Sequence, residues 1–356
     1  MPKIVVFGAT GYTGRLVAEV LVAGGAAPVL AARNPDALAK LAADLGGTDT
    51  AVADVTDPGS VRALLDRGDV LVTTVGPFLR YGGPALDAAL DAGAHYLDST
   101  GEGPFIRRVF ERDAAAREAG VALITAFGFD YVPGNLAAAL ALRDAPEAVR
   151  VEVGYFLDGV GTSGGTRASM AGIMFEDGFA LREGRVIVER TAARVRRFEV
   201  AGKSQTGVSI PGSEHLTLAR IHPGLRTTGV YLGLPAVAAR TIQAGSRVSG
   251  AIGRGGRTDR FGKAAVHRLM KGSSGGPRPE VRAGARTSVV AEVFDAAENP
   301  LGSVSLAGGD PYDFTARMLA WGARTTLAGG PRDVGALGPV EAFGLDEVHA
   351  AAGLRG

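Results

Sequence analysis

The sequence predicts an α/β protein in two parts: a parallel sheet covered by helices on both faces, and an inserted mixed α/β domain built on a largely antiparallel sheet. Three observations predict it. Short β-branched runs alternate with helix-like stretches from residue 3 to about 125, strand-like runs follow one another without regular helices after Pro133, and a long helical segment returns near residue 310. At 356 residues the chain also exceeds the roughly 250–300 at which single cores stop growing, so two domains are expected.

In order, the first strands are KIVVFG, PVLAA, TAVADV, DVLVTTVG, AHYLD and GVALITA. They are continuously apolar, as strands buried on both sides of a parallel sheet must be. Between them RLVAEVLVAGG, DALAKLAADLGG, GSVRALLDRG, GPALDAALDAG and FIRRVFERDAAAREAG carry apolar residues at helical spacing, and several close on Gly. In the second part AVRVEVGYF, GRVIVER, RRFEV, QTGVSI, LRTTGVYLGL and RTSVVAEVFD read as strands. ASMAGIMFEDG and PAVAARTIQAGSRVSGAIG read as helices, and RGGRTDRFG and KGSSGGPRPE as loops. DPYDFTARMLAWGARTTLAGG restores a long helix behind an Asp suited to capping. The expected division is 1–130 completed by 310–356, with 131–309 as the inserted domain.

Composition excludes several functions. Lys+Arg 38 against Asp+Glu 37 leaves a net charge of +1, too little to draw in nucleic acid or an acidic membrane. The absence of Cys removes disulfides, thiolate metal sites and cysteine nucleophiles. No closely spaced His pair sits on a helix, so no catalytic metal is expected. No stretch is apolar enough to span a bilayer, and a cytoplasmic protein is expected.

The motif GATGYTG joins the first strand to the first helix. Gly8, Gly11 and Gly14 let the backbone approach a pyrophosphate, and the helix N-terminus, with Thr10, Tyr12 and Thr13, offers it N–H groups and partial positive charge. A dinucleotide-binding Rossmann domain follows. About 20 residues beyond the glycines an NAD site carries an acidic residue; here VLAARNPDAL places Arg33, which pairs with a 2′-phosphate instead, although Asp36 lies close by. NADP(H) is the expected cofactor. Asp54, after the third strand, either contacts the adenine or caps the turn that follows it. Gly76, Pro77 and Phe78, after the fourth strand, would run beneath the nicotinamide.

Hydride transfer asks little of the protein beyond orientation and a proton source. None of the seven tyrosines has a Lys four residues on, so the Tyr-Lys route of the short-chain alcohol dehydrogenases is not expected. Two clusters remain at the ligand-bearing edge of the sheet. Asp98, Ser99, Thr100 and Glu102 follow the fifth strand, and Phe127, Asp130, Tyr131 and Asn135 follow the sixth. Tyr131 is the candidate proton donor and Asp98 the candidate orienting or accepting group; Ser99 and Asp130 would meet substrate. His95 is read as structural. The loop DGVGTSGGTRASM, with Ser163, Thr166 and Arg167, is either a second anion site or a linker into a helix.

The segments GATGYTG, AARN, TTVGPFLRYGGPALDAALDAGAHYLDSTGE, ITAFGFDYVPGNLAA, SGGTRASM and GALGPVEAFGL together resemble the saccharopine-dehydrogenase-like oxidoreductases, in particular a short actinobacterial branch that includes the mycobacterial trans-acting enoyl reductases. The resemblance implies an NADP-type Rossmann domain completed by C-terminal segments, an inserted substrate-binding and dimerisation domain, and a homodimer. It also implies a comparable SGGT substrate loop. The expected activity is NADPH-dependent reduction of a C=N or C=C bond in a small or acyl-linked substrate. The alternative is a non-catalytic NADP(H)-binding redox sensor, or a lipid-associated scaffold displaying the helix near Pro235.

Overall fold

The computed structural model describes residues 1–173, 176–251 and 275–356 and divides into two compact units. The expected loop RGGRTDRFG, the first part of KGSSGGPRPE and Ile252 lie outside the described residues.

The first unit comprises Met1–Gly101, Phe105–Asp130 and Pro311–Ala352. Its chain runs β1 (Ile4–Phe7), α1 (Tyr12–Ala23), β2 (Val29–Ala32), α2 (Pro35–Asp44), β3 (Thr50–Val52), α3 (Pro58–Arg62), β4 (Val70–Thr73), α4 (Phe78–Tyr81), α5 (Gly83–Ala92), β5 (His95–Asp98), α6 (Gly103–Phe110), α7 (Asp113–Ala119) and β6 (Ala122–Ile124). A later return adds a seventh strand, Gly335–Ala336, beside β6. All neighbours pair in parallel, and β1 lies between β4 and β2, so the strand order reverses between β1 and β4. Ligands bind at the carboxyl ends of strands on either side of such a reversal, because the connecting segments diverge there and leave a crevice. β1 and β4 are buried along their whole length, and Val5, Phe7, Leu71, Tyr96, Phe105 and Leu123 anchor the core.

The second unit comprises Glu102–Pro104, Tyr131–Asp310 and Gly353–Gly356. It holds α8 (Val132–Arg143), β7 (Arg150–Asp158), α9 (Gly164–Ile173), β8 (Asp177–Arg182), β9 (Arg185–Arg190), β10 (Val195–Val200), β11 (Lys203–Ser209), α10 (Glu214–Ile221), β12 (Thr227–Gly233), α11 (Ala236–Ala251), α12 (Pro279–Gly284), β13 (Arg286–Phe294) and β14 (Pro300–Gly308). Six strands form a sheet in the order β10-β11-β12-β7-β13-β14, antiparallel at every pairing except β12 with β7. β8 and β9 form a separate hairpin. The chain then returns through α13 (Pro311–Gly329), β15 (Gly335–Ala336), α14 (Pro339–Phe343) and α15 (Leu345–Ala352). The last residues, Gly353–Gly356, group with the second unit, where Arg355 bridges to Ala307.

Several local expectations are corrected. The helix expected to begin at Ala168 begins at Gly164, because the Ser163 hydroxyl accepts from the Thr166 N–H (3.1 Å) and so caps the turn. Asp177 and Gly178, read as the end of that helix, open β8 in ladder with Arg190 and Glu189. The stretch 105–120 is split into α6 and α7 by a turn in which the Arg112 N–H reaches Val109 three residues back. Among the elements the sequence did not single out are α8, β8, the eight-residue α10, and β14, whose Gly and Ser residues blur the alternation, while Pro279 and Glu280, read as loop, open α12. Among the described side chains of α11, Val237 and Ile242 are exposed, which is ordinary for scattered apolar residues. Among the described residues no helix is long and apolar enough to cross a membrane, and no group of three acidic or His side chains could hold a metal ion.

Candidate cofactor and active site

Each glycine of the first loop has a separate job. Gly8 has φ +88°, a backbone state in which a side chain is strained, and its N–H and that of Ala9 both donate to the Ala31 carbonyl at 2.8 and 3.1 Å. Gly11 is the N-cap of α1 and, being glycine, provides no side-chain cap to that helix end. Gly14 packs the helix on the turn: a Cβ there would collide with the Gly8 carbonyl and would stand 2.8 Å from Thr74 Oγ1. Thr74, at the end of β4, donates its N–H to Phe7 (3.0 Å) and its hydroxyl to Gly8 (3.3 Å), which ties the two strand ends of the crevice together. Thr10 and Gly11 are exposed, while Tyr12 and Thr13 are half-buried.

Arg33 stands exposed immediately after β2, and Asn34 beside it caps α2 by accepting from Ala37 (3.0 Å). Of the two roles open to Asp54, the turn cap is the one built: its Oδ1 accepts from the Thr56 N–H and hydroxyl, both at 2.9 Å. Those bonds hold its carboxyl below the usual range, with a smaller contribution from the Arg33 charge. Gly76 and Pro77, joined by a cis peptide, stay at the surface or half-buried. The Phe78 ring differs from expectation. It turns into the core against Phe105, with centroids 5.6 Å apart, because an apolar ring gains more from burial than from an open edge.

Beyond the fifth and sixth strands the roles are redistributed. Asp98, expected at the open edge, is fully buried. Its Oδ1 accepts from Thr100 N–H (2.9 Å) and Ala126 N–H (2.8 Å), and its Oδ2 from the Thr125 hydroxyl (2.8 Å). Burial raises its carboxyl to about 6, against the pull of these donors. Asp98 is therefore a staple between the loops after β5 and β6 rather than a group open to a ligand. Tyr131 is also buried. Its ring meets Tyr155 edge-on, and its carbonyl accepts from the Asn135 amide (2.9 Å), since the start of α8 is buried on all sides. Asn135 completes a closed network with Ser213 and Thr217.

Asp130 behaves differently. It is exposed, yet the protein around it desolvates the carboxyl and raises it to about 6. It lies against Gly101, where a Cβ would stand 2.9 Å from its Oδ2, so the close approach of the two loops depends on that glycine. Ser99 is half-buried next to the staple. In the second unit Ser163 and Thr166 share a hydroxyl contact of 2.9 Å, and Arg167 folds back on Thr162, donating to its carbonyl (2.7 Å) and hydroxyl (3.2 Å). The SGGT residues thus form the first turn of α9 instead of a loop before it. His95 accepts through Nδ1 from Ala122 (3.1 Å), and burial lowers its pKa, which suits a structural ring.

Sequence reasoning missed Thr74, Gly101, Tyr312 and Thr315. Thr74 and Gly101 stood in motifs already singled out. Tyr312 and Thr315 lie some 180 to 300 residues from the groups they touch and carry no local signal.

A seven-stranded parallel sheet with a glycine turn at its strand-order reversal defines a Rossmann-type α/β protein. Residues 4–124 of the 356 match the saccharopine dehydrogenase NADP binding domain, which is family-level evidence for an NADP(H)-linked oxidoreductase fold in that segment. A Mycobacterium tuberculosis relative is 37% identical over 191 residues, 48% of this chain and 44% of its own length. The trans-acting enoyl reductase of Mycobacterium leprae is 39% identical over 142 residues, 37% of this chain and 34% of that protein. The chain thus aligns with less than half the length of these curated relatives. Across nearly the whole chain, 99% of it and 96% of the other, the fold is similar to apo saccharopine dehydrogenase (L-Glu forming) from Saccharomyces cerevisiae, with a TM-score of 0.60 at 12% identity.

Proposed function

We propose that this protein is an NADPH-dependent oxidoreductase that reduces a C=N or C=C bond in a small or acyl-linked substrate. The observation that carries the proposal is the uncapped N-terminus of α1, held against the β4 end by a glycine that has no room for a side chain. Such an end binds a pyrophosphate through backbone donors and the helix dipole. The names of the mycobacterial relatives favour the C=C arm. NADPH supplies the hydride. The chain's own residues do the rest: Gly8, Thr10, Gly11, Tyr12, Thr13 and Gly14 hold the pyrophosphate, Arg33 pairs with the 2′-phosphate, and Gly76 and Pro77 line the nicotinamide end. In this reading the proton comes from Asp130 in place of Tyr131, and Asp98 holds the loop that presents it. A homodimer accompanies the reading through the family resemblance.

NADPH is expected to raise the melting temperature more than NADH at equal concentration, because stabilisation grows as RT ln(1 + [L]/Kd). Arg33→Asp should weaken NADPH binding roughly 10- to 100-fold, the worth of a charge-assisted phosphate contact, while sparing NADH. Equal shifts from the two cofactors in the parent protein would reassign Arg33 to the solvated surface.

The proton assignment is tested with enoyl thioesters and cyclic imines as substrates. Asp130→Asn should keep its NADPH affinity and lose about 100-fold or more in turnover, within the range a positioned general acid contributes. Full turnover in that variant would return the proton to another group, and an absence of NADPH oxidation in the parent protein would favour the sensor.

A further inference from the structure

We propose that Tyr312, from the helix that returns after the second unit, is a cofactor-positioning residue: it buttresses Tyr12 and so fixes the first turn of α1 in its binding orientation. The inference rests on the dinucleotide reading of the glycine loop. The two half-buried rings meet edge to face, with centroids 5.1 Å apart and planes at 87°. Twelve residues further on in each segment, at the C-cap of α1, a second contact recurs, where Gly24 is so close to the Arg324 guanidinium that a Cβ would stand 2.6 Å from its Nη1. Equal spacing on each side means that α1 and α13 run parallel and in step, with both first turns at the same edge of the sheet. Tyr12 follows the N-cap Gly11 directly, so a ring that holds Tyr12 also holds the N–H groups assigned to the pyrophosphate.

The same turn of α13 grips the loop that ends in Asp130. The Thr315 hydroxyl accepts from the Phe129 N–H (3.0 Å) and donates to the Pro311 carbonyl (2.8 Å). Phe314 packs edge-on to Phe129, and a Cβ on Gly128 would be 2.7 Å from the Thr315 methyl. One helical turn thereby braces the cofactor loop on one side and the proton-bearing loop on the other. This explains why the chain returns to its first sheet after leaving it for some 180 residues.

The test is NADPH titration of the full chain, with the melting temperature of the ligand-free protein measured alongside. Tyr312→Ala and Tyr312→Leu are expected to raise the NADPH Kd about three- to tenfold, the scale of one lost aromatic edge contact. Tyr312→Phe, which keeps the ring, should stay within twofold of the parent. If Ala and Leu lower the melting temperature but leave the Kd within twofold, Tyr312 is only a packing residue and the proposal is overturned. Equal weakening in Phe would overturn it too, by moving the effect from the ring to the hydroxyl. Failure of the parent chain to bind NADPH would instead remove the dinucleotide reading itself, and shows before any variant is made.

Discussion

Gly14→Ala is expected to abolish NADPH binding and to lower stability by about 1–3 kcal/mol, the cost of forcing atoms into a packed site. The added methyl would collide with the Gly8 carbonyl oxygen and stand 2.8 Å from both the Gly8 carbonyl carbon and Thr74 Oγ1. Two of these obstacles are backbone atoms, so no rotamer change relieves them. Either α1 slides outward along β1 or the turn opens, and in both cases the helix N-terminus leaves the crevice. Gly83→Ala, at the start of α5, is the control: nothing lies within 4 Å of a Cβ there, and stability and binding should both be retained. Denaturant unfolding and NADPH titration measure the two quantities. Parent-like affinity in Gly14→Ala would mean that the loop is a turn with no anion role.

Asp98→Ala should be the most destabilising change among the candidate site residues, by roughly 3–5 kcal/mol, since it orphans two buried N–H groups and a buried hydroxyl at about 1–3 kcal/mol each. Asp98→Asn should be tolerated. Its amide oxygen can still accept from Thr100 and Ala126, and its amide nitrogen can donate to Thr125 Oγ1. The two variants also differ in pH dependence. Because burial lifts the Asp98 carboxyl from 3.8 to about 6, the folded state binds its proton more tightly than the unfolded state. The stabilisation this provides is complete below about pH 4 and is lost as pH rises through 6. Asp98→Asn removes that slope. Asp130, also raised to about 6, titrates in the same window, so part of the slope should persist until it too is changed to Asn. A slope unchanged in Asp98→Asn would place the buried carboxyl's titration elsewhere.

The first unit was legible because its signals are local. β1 and β4 are buried along their whole length and so appear as unbroken apolar runs, and helices such as α5 and α7 stop at glycines. In the second unit the order of six strands, including the single parallel pair of β12 with β7, joins segments about 75 residues apart. No periodicity records which strand lies next to which.

The site divides along the same line. Gly8, Gly11 and Gly14 were readable because the backbone itself needs them, and Arg33 because its distance from the loop is set by one βαβ unit. The different burial of the two carboxylates at this edge was not readable. Asp98 and Asp130 are the same residue type at the same edge of the same sheet, yet one is sealed beneath three donors and the other stays in reach of solvent. Burial is a property of everything packed around a side chain, including Thr125 from the next strand end and, for the Asp130 loop, Thr315 from the far end of the chain. By itself the sequence determined the fold class, the glycine loop and the basic residue beside it, because each is dictated by backbone geometry over a few residues. Only the tertiary structure decided which carboxylate is sealed beneath donors and which stays exposed, because burial depends on contacts that the linear order of residues does not record.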